Sequence, residues 1–234
     1  MIRVDAPRHR HLRLPPLRCN EALADDRDFV DSALEQVRHI SRYRPFTADT
    51  HVLDFGCGPG RFAIGLVTLG VPLAAYWGID TNESAIGWCK RWLQPQDARF
   101  RFVHVPAHNA RYNRRAVGTP PLPVPRREFD IAFVNSVFSH MLPPDVSFYL
   151  TALHDALQPA GILYMTAFLE ENVAAVQENP PGYLGKKSRG PLHRVRYEKG
   201  YFFELIDDAG LTVQDFRYRG IERTGQSVIV AAPR

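Results

Sequence analysis

The run Val52-Leu53-Asp54-Phe55-Gly56-Cys57-Gly58-Pro59-Gly60-Arg61-Phe62 ends an apolar stretch in three alternate glycines and passes at once into a helical pattern. Glycine admits positive φ and lets a ligand meet the main chain with no Cβ in the way. A tight strand-to-helix turn needs one glycine; three at this spacing predict a binding turn. The residues that close the turn exclude two phosphate-binding loops. The dinucleotide fingerprint requires Gly-x-Gly-x-x-Gly, and the sixth position is Arg61 counted from Gly56 and Ala63 counted from Gly58. A P-loop closes with Gly-Lys-Ser/Thr, which this turn lacks.

The elements around the turn alternate regularly. Apolar residues recur at three- and four-residue steps from Glu21 to Arg42, the spacing of a helical face. Next come a strand over His51–Phe55, a helix over Arg61–Leu69, a strand over Ala74–Asp80, a helix over Glu83–Leu93 and a strand over Phe100–Val105. Further on are a strand over Phe129–Val134, a helix over Asp145–Leu157 and a strand over Gly161–Phe168. A helical pattern over Tyr201–Ala209 stops at Gly210, and two strand-like runs, Leu211–Tyr218 and Gln226–Ala231, end the sequence. The gap between those two is too short for a helical crossover, so they pair antiparallel. The predicted class is α/β: a doubly wound, mainly parallel seven-stranded sheet with the last strand antiparallel and helices on both faces. An N-terminal helix precedes it, and an insertion comes after the fifth strand. Arg114–Arg127, with four prolines, and Glu170–Gly200, rich in Pro, Gly, Lys and Arg, interrupt the pattern. Loops of that length are functional lids or disordered segments.

Composition narrows the function classes. With 234 residues the chain can bury a full core, and one main domain over residues 21–234 is expected. Residues 1–20 read as a basic surface arm, with Pro7, Pro15 and Pro16 set among Arg8, Arg10, Arg13 and Arg18. A formal charge of +4 is too small an excess to argue for nucleic acid. Cys19, Cys57 and Cys89 are odd in number and unpatterned, so neither a disulfide framework nor a metal knuckle is expected. A reducing cytoplasm fits that usage. No signal-peptide run and no stretch of eighteen apolar residues is present, so no membrane partner is expected.

The glycine turn resembles motif I of the class I S-adenosylmethionine-dependent methyltransferases, acidic-x-Gly-x-Gly-x-Gly, with Asp54, Gly56, Gly58 and Gly60 matching position for position. The resemblance runs from about Phe29 to Ala231. Ser136-Val137-Phe138-Ser139-His140-Met141-Leu142 is similar to the Ser-Val-Phe-Thr-His-Met-Leu segment of a bacterial branch. Asn109-Ala110-Arg111-Tyr112-Asn113 and Leu157-Gln158-Pro159-Ala160-Gly161 are similar to that branch's Asn-x-x-Tyr-Asn and Leu-Lys-Pro-Gly-Gly. The resemblance implies S-adenosylmethionine as cofactor, S-adenosylhomocysteine as product, and a binding set at Asp54, Gly56, Cys57, Gly58, Gly60, Asp80 and Thr81. Asp80, at a predicted strand end, can accept both hydroxyls of a ribose. Asp80-Thr81-Asn82-Glu83 also reads as a helix start, where a carboxylate caps. Cys57 and Cys89 are explained by burial. The acidic residue common after the third strand is missing. Either His108 or Asn109 serves the adenine there, or both merely cap the loop.

Ligands of open parallel sheets bind beyond the strand carboxyl ends, where strand order reverses. By the resemblance, Asn135–His140 should therefore face the glycine turn, with Asn135 and Ser136 on the methionine end of the cofactor. His140 is the candidate catalytic base; its alternative is a loop-ordering histidine bonded to backbone. Glu170 and Glu171 either line the acceptor site or begin a solvated helix. Lys186, Lys187, Arg189, Arg194 and Arg196 form either a solvated face or a lid over an anionic acceptor. The resulting expectation is methyl transfer to a small molecule, by O-methylation of a secondary metabolite or carbohydrate-linked compound. The rivals are an RNA or protein methyltransferase docking through the basic segments, and a non-catalytic cofactor-binding module.

Overall fold

The structure, a computed structural model, describes residues 4–6, 9–16 and 25–234. It divides into two compact units, residues 1–105 and 106–234.

The first unit is built on three parallel strands. Helix α1 (Asp26–Ser41) starts where the Asp25 carboxylate accepts the Asp28 amide at 2.8 Å. The start of the helix read from the sequence, residues 21–24, lies outside the described residues. Phe29, Ala33, Val37 and Ile40 bury the apolar stripe of α1 against α2 (Arg61–Leu69). Each large side chain so buried contributes about 1.5–3 kcal/mol. Strands β3 (His51–Phe55), β4 (Ala75–Asp80) and β5 (Phe100–His104) lie side by side, with Asp54 opposite Gly78 and Asp80 opposite His104. Helix α3 (Glu83–Trp92) connects β4 to β5. Part of the basic arm folds: β1 (Val4–Ala6) and β2 (His9–Leu12) pair antiparallel against α2, and Leu12 is buried. Pro7, Arg8 and Arg18 lie outside the described residues, as does Cys19.

The second unit opens with β6 (Phe129–Val134), whose six residues are all buried, as expected of a strand covered on both faces. A single 3-10 turn, Phe138–His140, leads to α4 (Pro143–Ala156) and then β7 (Leu157–Glu170), parallel to β6. Strand β7 extends well past the Gly161–Phe168 expected from the sequence. It begins directly after α4, and its far end pairs with a strand of the insertion. The insertion is itself structured: β8 (Val176–Glu178) pairs antiparallel with β9 (Val195–Glu198), and β9 lies parallel to Phe168–Glu170. Helix α5 (Lys199–Asp208) comes next, then β10 (Leu211–Ile221) and β11 (Gln226–Pro233). Strand β11 is antiparallel to both β7 and β10, as the short gap required. Strands β3, β4 and β5 of one unit and β6 and β7 of the other run parallel to their neighbours, with antiparallel pairing at β10 and β11, and this is the predicted α/β class; the antiparallel pairs β1–β2 and β8–β9 are additions to it.

Helix propensity alone would favour alanine over glycine by about 1 kcal/mol at Gly65, inside α2. A Cβ there would stand 2.4 Å from the Ala33 carbonyl oxygen and 2.9 Å from Val37 Cγ2. Gly65→Ala should therefore lower the unfolding free energy by about 1–3 kcal/mol in urea denaturation, and a stabilised variant would contradict this packing.

Candidate active site

In the first unit the chain leaves β3 and folds over the end of β4. The amides of Gly56 and Cys57 both donate to the Ile79 carbonyl, at 2.8 and 3.1 Å. Gly56, Gly58 and Gly60 have φ of 79°, 51° and 79°, the left-handed region that a side chain resists. The last two glycines answer different needs. A Cβ on Gly60 would lie 2.3 Å from Leu93 Cδ1, so this glycine lets the turn pack onto α3 and its following residue. A Cβ on Gly58 would meet no atom within 4 Å, so this glycine borders open space where a ligand can approach the main chain.

Asp80 is aimed at that point. Its Oδ2 accepts the Gly58 amide at 2.7 Å, and its Oδ1 accepts the Asn82 amide at 2.7 Å. The side-chain cap of α3 is Asn82, which accepts the Ala85 amide at 3.1 Å, so the capping role weighed for Asp80 belongs to its neighbour. A carboxylate offers about four acceptor positions, so Asp80 keeps capacity for a further donor. Burial pushes the Asp80 carboxyl up, opposed by the amides of Asn82 and Gly58. Thr81 is half-buried, and its carbonyl accepts the His104 Nε2 proton at 3.2 Å.

The remaining residues of the turn face inward. The thiols of Cys57 and Cys89 both donate to the Gly58 carbonyl, at 3.5 and 3.6 Å, and both cysteines are buried. Burial raises the Cys57 thiol well above its ordinary value, so it stays protonated and unreactive. Asp54 is buried beneath the turn and accepts the Tyr76 hydroxyl at 2.5 Å. Burial pushes the Asp54 carboxyl up to about 7, with Tyr76 and Arg61 opposing the shift and Asp80 adding to it.

In the second unit Asn135 and Ser136 come after β6 and are half-buried. Ser136 holds φ of 61° without being glycine, a conformation that costs about 1–3 kcal/mol and needs enforcement. A polar network supplies it. The Ser136 amide donates to Thr166 Oγ1 at 2.8 Å, Thr166 Oγ1 donates to Gln226 Oε1 at 2.6 Å, and Gln226 Nε2 donates to Ser136 Oγ at 2.8 Å. Ser139 joins through its hydroxyl, 3.2 Å from that of Ser136. Thr166, Ser139 and Gln226 are buried, where such bonds are strong and their loss costly.

His140 ends the segment. Its Nδ1 lies 2.9 Å from the Leu192 carbonyl, which can only accept, so Nδ1 carries the proton and Nε2 the lone pair. Burial lowers the imidazole to about 4 despite that bond, and Arg111, His193 and Arg194 lower it further. The backbone contact weighed as an alternative is present, and it orients a neutral ring with one basic nitrogen. The His140 carbonyl accepts Asn109 Nδ2 at 2.9 Å, while Asn109 Oδ1 accepts the amides of Arg111 and Tyr112 at 3.0 and 3.1 Å. Both ends of the Asn109 amide are thus engaged within the protein. His108 is exposed, and its Nδ1 donates to the Ala116 carbonyl at 2.9 Å. Glu170 accepts the hydroxyls of Tyr183 and Tyr218 and the guanidinium of Arg219 at 2.8, 2.6 and 2.9 Å. Glu171 pairs with Lys199, and neither glutamate begins a helix.

Sequence reasoning missed Thr166, Gln226 and Leu192. A threonine inside the apolar run of β7 was the one local signal; Gln226 and the Leu192 carbonyl carry none.

Residues 52–161 match the family model described as a methyltransferase domain. Among solved structures, the chain is similar to a Burkholderia thailandensis 1,6-didemethyltoxoflavin-N1-methyltransferase solved with 1,6-didemethyltoxoflavin and S-adenosylhomocysteine. The TM-score is 0.58 at 20% identity, covering 89% of this chain and 81% of that one. A SAM-dependent methyltransferase from Methanosarcina mazei gives 0.57 at 19% identity over 83% and 96% of the two chains. The cyclase SpnF gives 0.59 at 15% identity over 87% and 81%. The chain thus has the Rossmann-like fold that these methyltransferase structures share. Residues 52–161, the stretch similar to the methyltransferase-domain model, contain the glycine turn, Asp80 and His140.

Between pH 4.5 and 6.5 unfolded chains have released the Asp54 proton and folded ones retain it, so Asp54 makes stability fall as pH rises. One such proton is worth about 1.4 kcal/mol per pH unit. Asp54→Asn should remove this contribution, so the stability of the variant relative to wild type should climb by about that slope in urea denaturation across the window. Parallel profiles would contradict the buried, protonated carboxyl.

Proposed function

We propose that this chain transfers a methyl group from S-adenosylmethionine to a small-molecule acceptor, with an oxygen nucleophile as the group methylated. The observation that carries the reading is the Gly58–Asp80 pair: main chain bare of side chains, with a carboxylate beside it that keeps acceptor positions in reserve. Those residues fit an adenosine whose ribose hydroxyls donate to Asp80 while its chain lies along Gly56–Gly60. Bound there, the cofactor supplies an already activated methyl on its sulfonium. Support comes from the matched domain and from the Burkholderia structure, which holds S-adenosylhomocysteine.

The protein's share is to hold the acceptor in line, exclude water and remove a proton. Ser136, fixed in its left-handed conformation, and Asn135 suit contact with the methionine end of the cofactor. Nε2 of His140 takes the proton of the acceptor hydroxyl as the new bond to carbon forms. Nδ1 keeps its proton on the Leu192 carbonyl, so the ring is ready in one tautomer. The segment Ser136–Leu142 supports placing the chain in the bacterial branch it is similar to. Adenine recognition by His108 is compatible with its exposure, whereas Asn109 acts by shaping the loop. The catalytic domain with its insertion is assigned to residues 21–234, preceded in the sequence by the basic stretch of residues 1–20.

A second reading is a catalyst of another reaction on the same fold, favoured by the likeness to SpnF, whose name records a cyclase. Labelled methyl transfer from S-adenosylmethionine to fractionated cell extract decides between them: a labelled small product supports methyl transfer, and none in any fraction opposes it. Asp80→Asn should weaken S-adenosylhomocysteine binding in calorimetry by about 1–3 kcal/mol, and unchanged affinity would remove the ribose role. His140→Gln should retain that affinity while turnover falls by about 10²-fold or more, and equal turnover would leave His140 an ordering residue.

A further inference from the structure

His140 is held from several sides. The Tyr112 ring packs T-shaped against the imidazole with centroids 5.5 Å apart, and Asn109 Nδ2 donates to the His140 carbonyl at 2.9 Å. Neither contact chooses which ring nitrogen carries the proton. The Leu192 carbonyl does so by accepting from Nδ1 at 2.9 Å, and the state of the ring therefore depends on where that carbonyl points. Leu192 lies in the insertion, between β8 and β9, and holds φ of 49°, a left-handed conformation that a leucine resists.

The residues that enforce this conformation come from the end of β8. Glu178 Oε1 accepts the Leu192 amide at 2.7 Å. Asn179 Nδ2 donates to the Gly190 carbonyl at 3.0 Å, and Asn179 Oδ1 accepts the Arg194 amide at 3.0 Å. The Asn179 amide donates to the Arg194 carbonyl at 2.7 Å, which closes the neck of the loop. Asn179 also steadies the carboxylate, with Nδ2 3.3 Å from Glu178 Oε1. Residues 190, 192 and 194 are thus each bonded to the Glu178–Asn179 pair. Leu192 is buried, where an amide without a partner is costly, and the carboxylate stands in for water there. Bonded through its amide to Glu178 and through its carbonyl to His140, Leu192 links the two side chains across its own backbone.

We propose that Glu178 and Asn179 are positioning residues for His140, which by fixing the backbone of Leu192 keep the proton on Nδ1 and the lone pair on Nε2. This rests on the reading of His140 as the acceptor-side base, whose reactive atom the pair selects. Without the Glu178 bond, Leu192 relaxes toward negative φ, its carbonyl swings from the ring, and Nδ1 loses the acceptor that made it the protonated nitrogen. The ring then exchanges between its two tautomers, and the fraction with a lone pair on Nε2 falls. A glutamine at position 178 retains a carbonyl oxygen for the same amide, so the role requires an acceptor rather than a charge.

The test reads the His140 ring by nitrogen NMR of the full chain at neutral pH, with its signals assigned by their loss in His140→Gln. In wild type the ring nitrogens should be widely separated, as in a single Nδ1–H tautomer. In Glu178→Ala they should move toward each other with their mean unchanged, which marks tautomer exchange rather than protonation, and Glu178→Gln should restore the wild-type separation. Asn179→Gly keeps the left-handed backbone at a position where φ is 49° and removes the clamping amide, so it should shift the signals in the same direction as Glu178→Ala. Retained S-adenosylhomocysteine affinity checks the folding of each variant, and if Glu178→Ala fails that check, Asn179→Gly decides by the same criterion. The proposal is overturned if the separation stays at its wild-type value, or if Glu178→Gln is displaced as far as Glu178→Ala. Either result leaves the base reading standing, because that reading fails on a different measurement, equal turnover of wild type and His140→Gln.

Discussion

One hydrogen bond organises the candidate cofactor site: the Gly58 amide donating to the Asp80 carboxylate at 2.7 Å. It ties the turn leaving β3 to the end of the adjacent strand β4, with Gly58 held in a left-handed conformation. The surrounding chemistry protects it. Two buried thiols converge on the Gly58 carbonyl, the α3 segment packs where a Cβ of Gly60 would stand, and the Asp54–Tyr76 bond fills the floor. On the proposed reading, this cradle of main chain and partly used carboxylate takes a nucleoside by backbone and sugar, with no large side chain moving aside.

The second unit applies a similar economy to the candidate base. The segment after β6 is pulled into shape by hydroxyl and amide groups of β7 and β11, so the sheet that carries the fold also sets the geometry of Ser136 and Ser139. The insertion orients His140 through the Leu192 carbonyl and holds the Arg111 side chain through the Arg189 carbonyl. Such a ring is a modest base because its proton affinity is low. Burial keeps it unprotonated at neutral pH, and the nearby cations act in the same direction.

The strongest features were legible because they are local. The bounds of β3, α2 and β6 emerge directly from apolar patterning ending in glycine or turn residues, and the glycine turn is a contiguous run. Asp80 was legible from its place at a strand end. The insertion was not, since strands of three and four residues among prolines and glycines leave no period, and β8 and β9 exist through pairing with each other and with the end of β7. The network behind Ser136 joins residues 30, 60 and 90 positions apart in pairs, so no window of sequence contains it. Asn109 shows the same limit: its residue type suggested a ligand contact, and only the fold reveals that its amide spans its own loop and the His140 carbonyl.

A crystal structure of the full chain with S-adenosylhomocysteine tests the central claim most directly. The ribose hydroxyls should sit on the Asp80 carboxylate, with the nucleoside against the main chain at Gly58. A nucleoside bound elsewhere, or Asp80 turned away from the sugar, would contradict the reading.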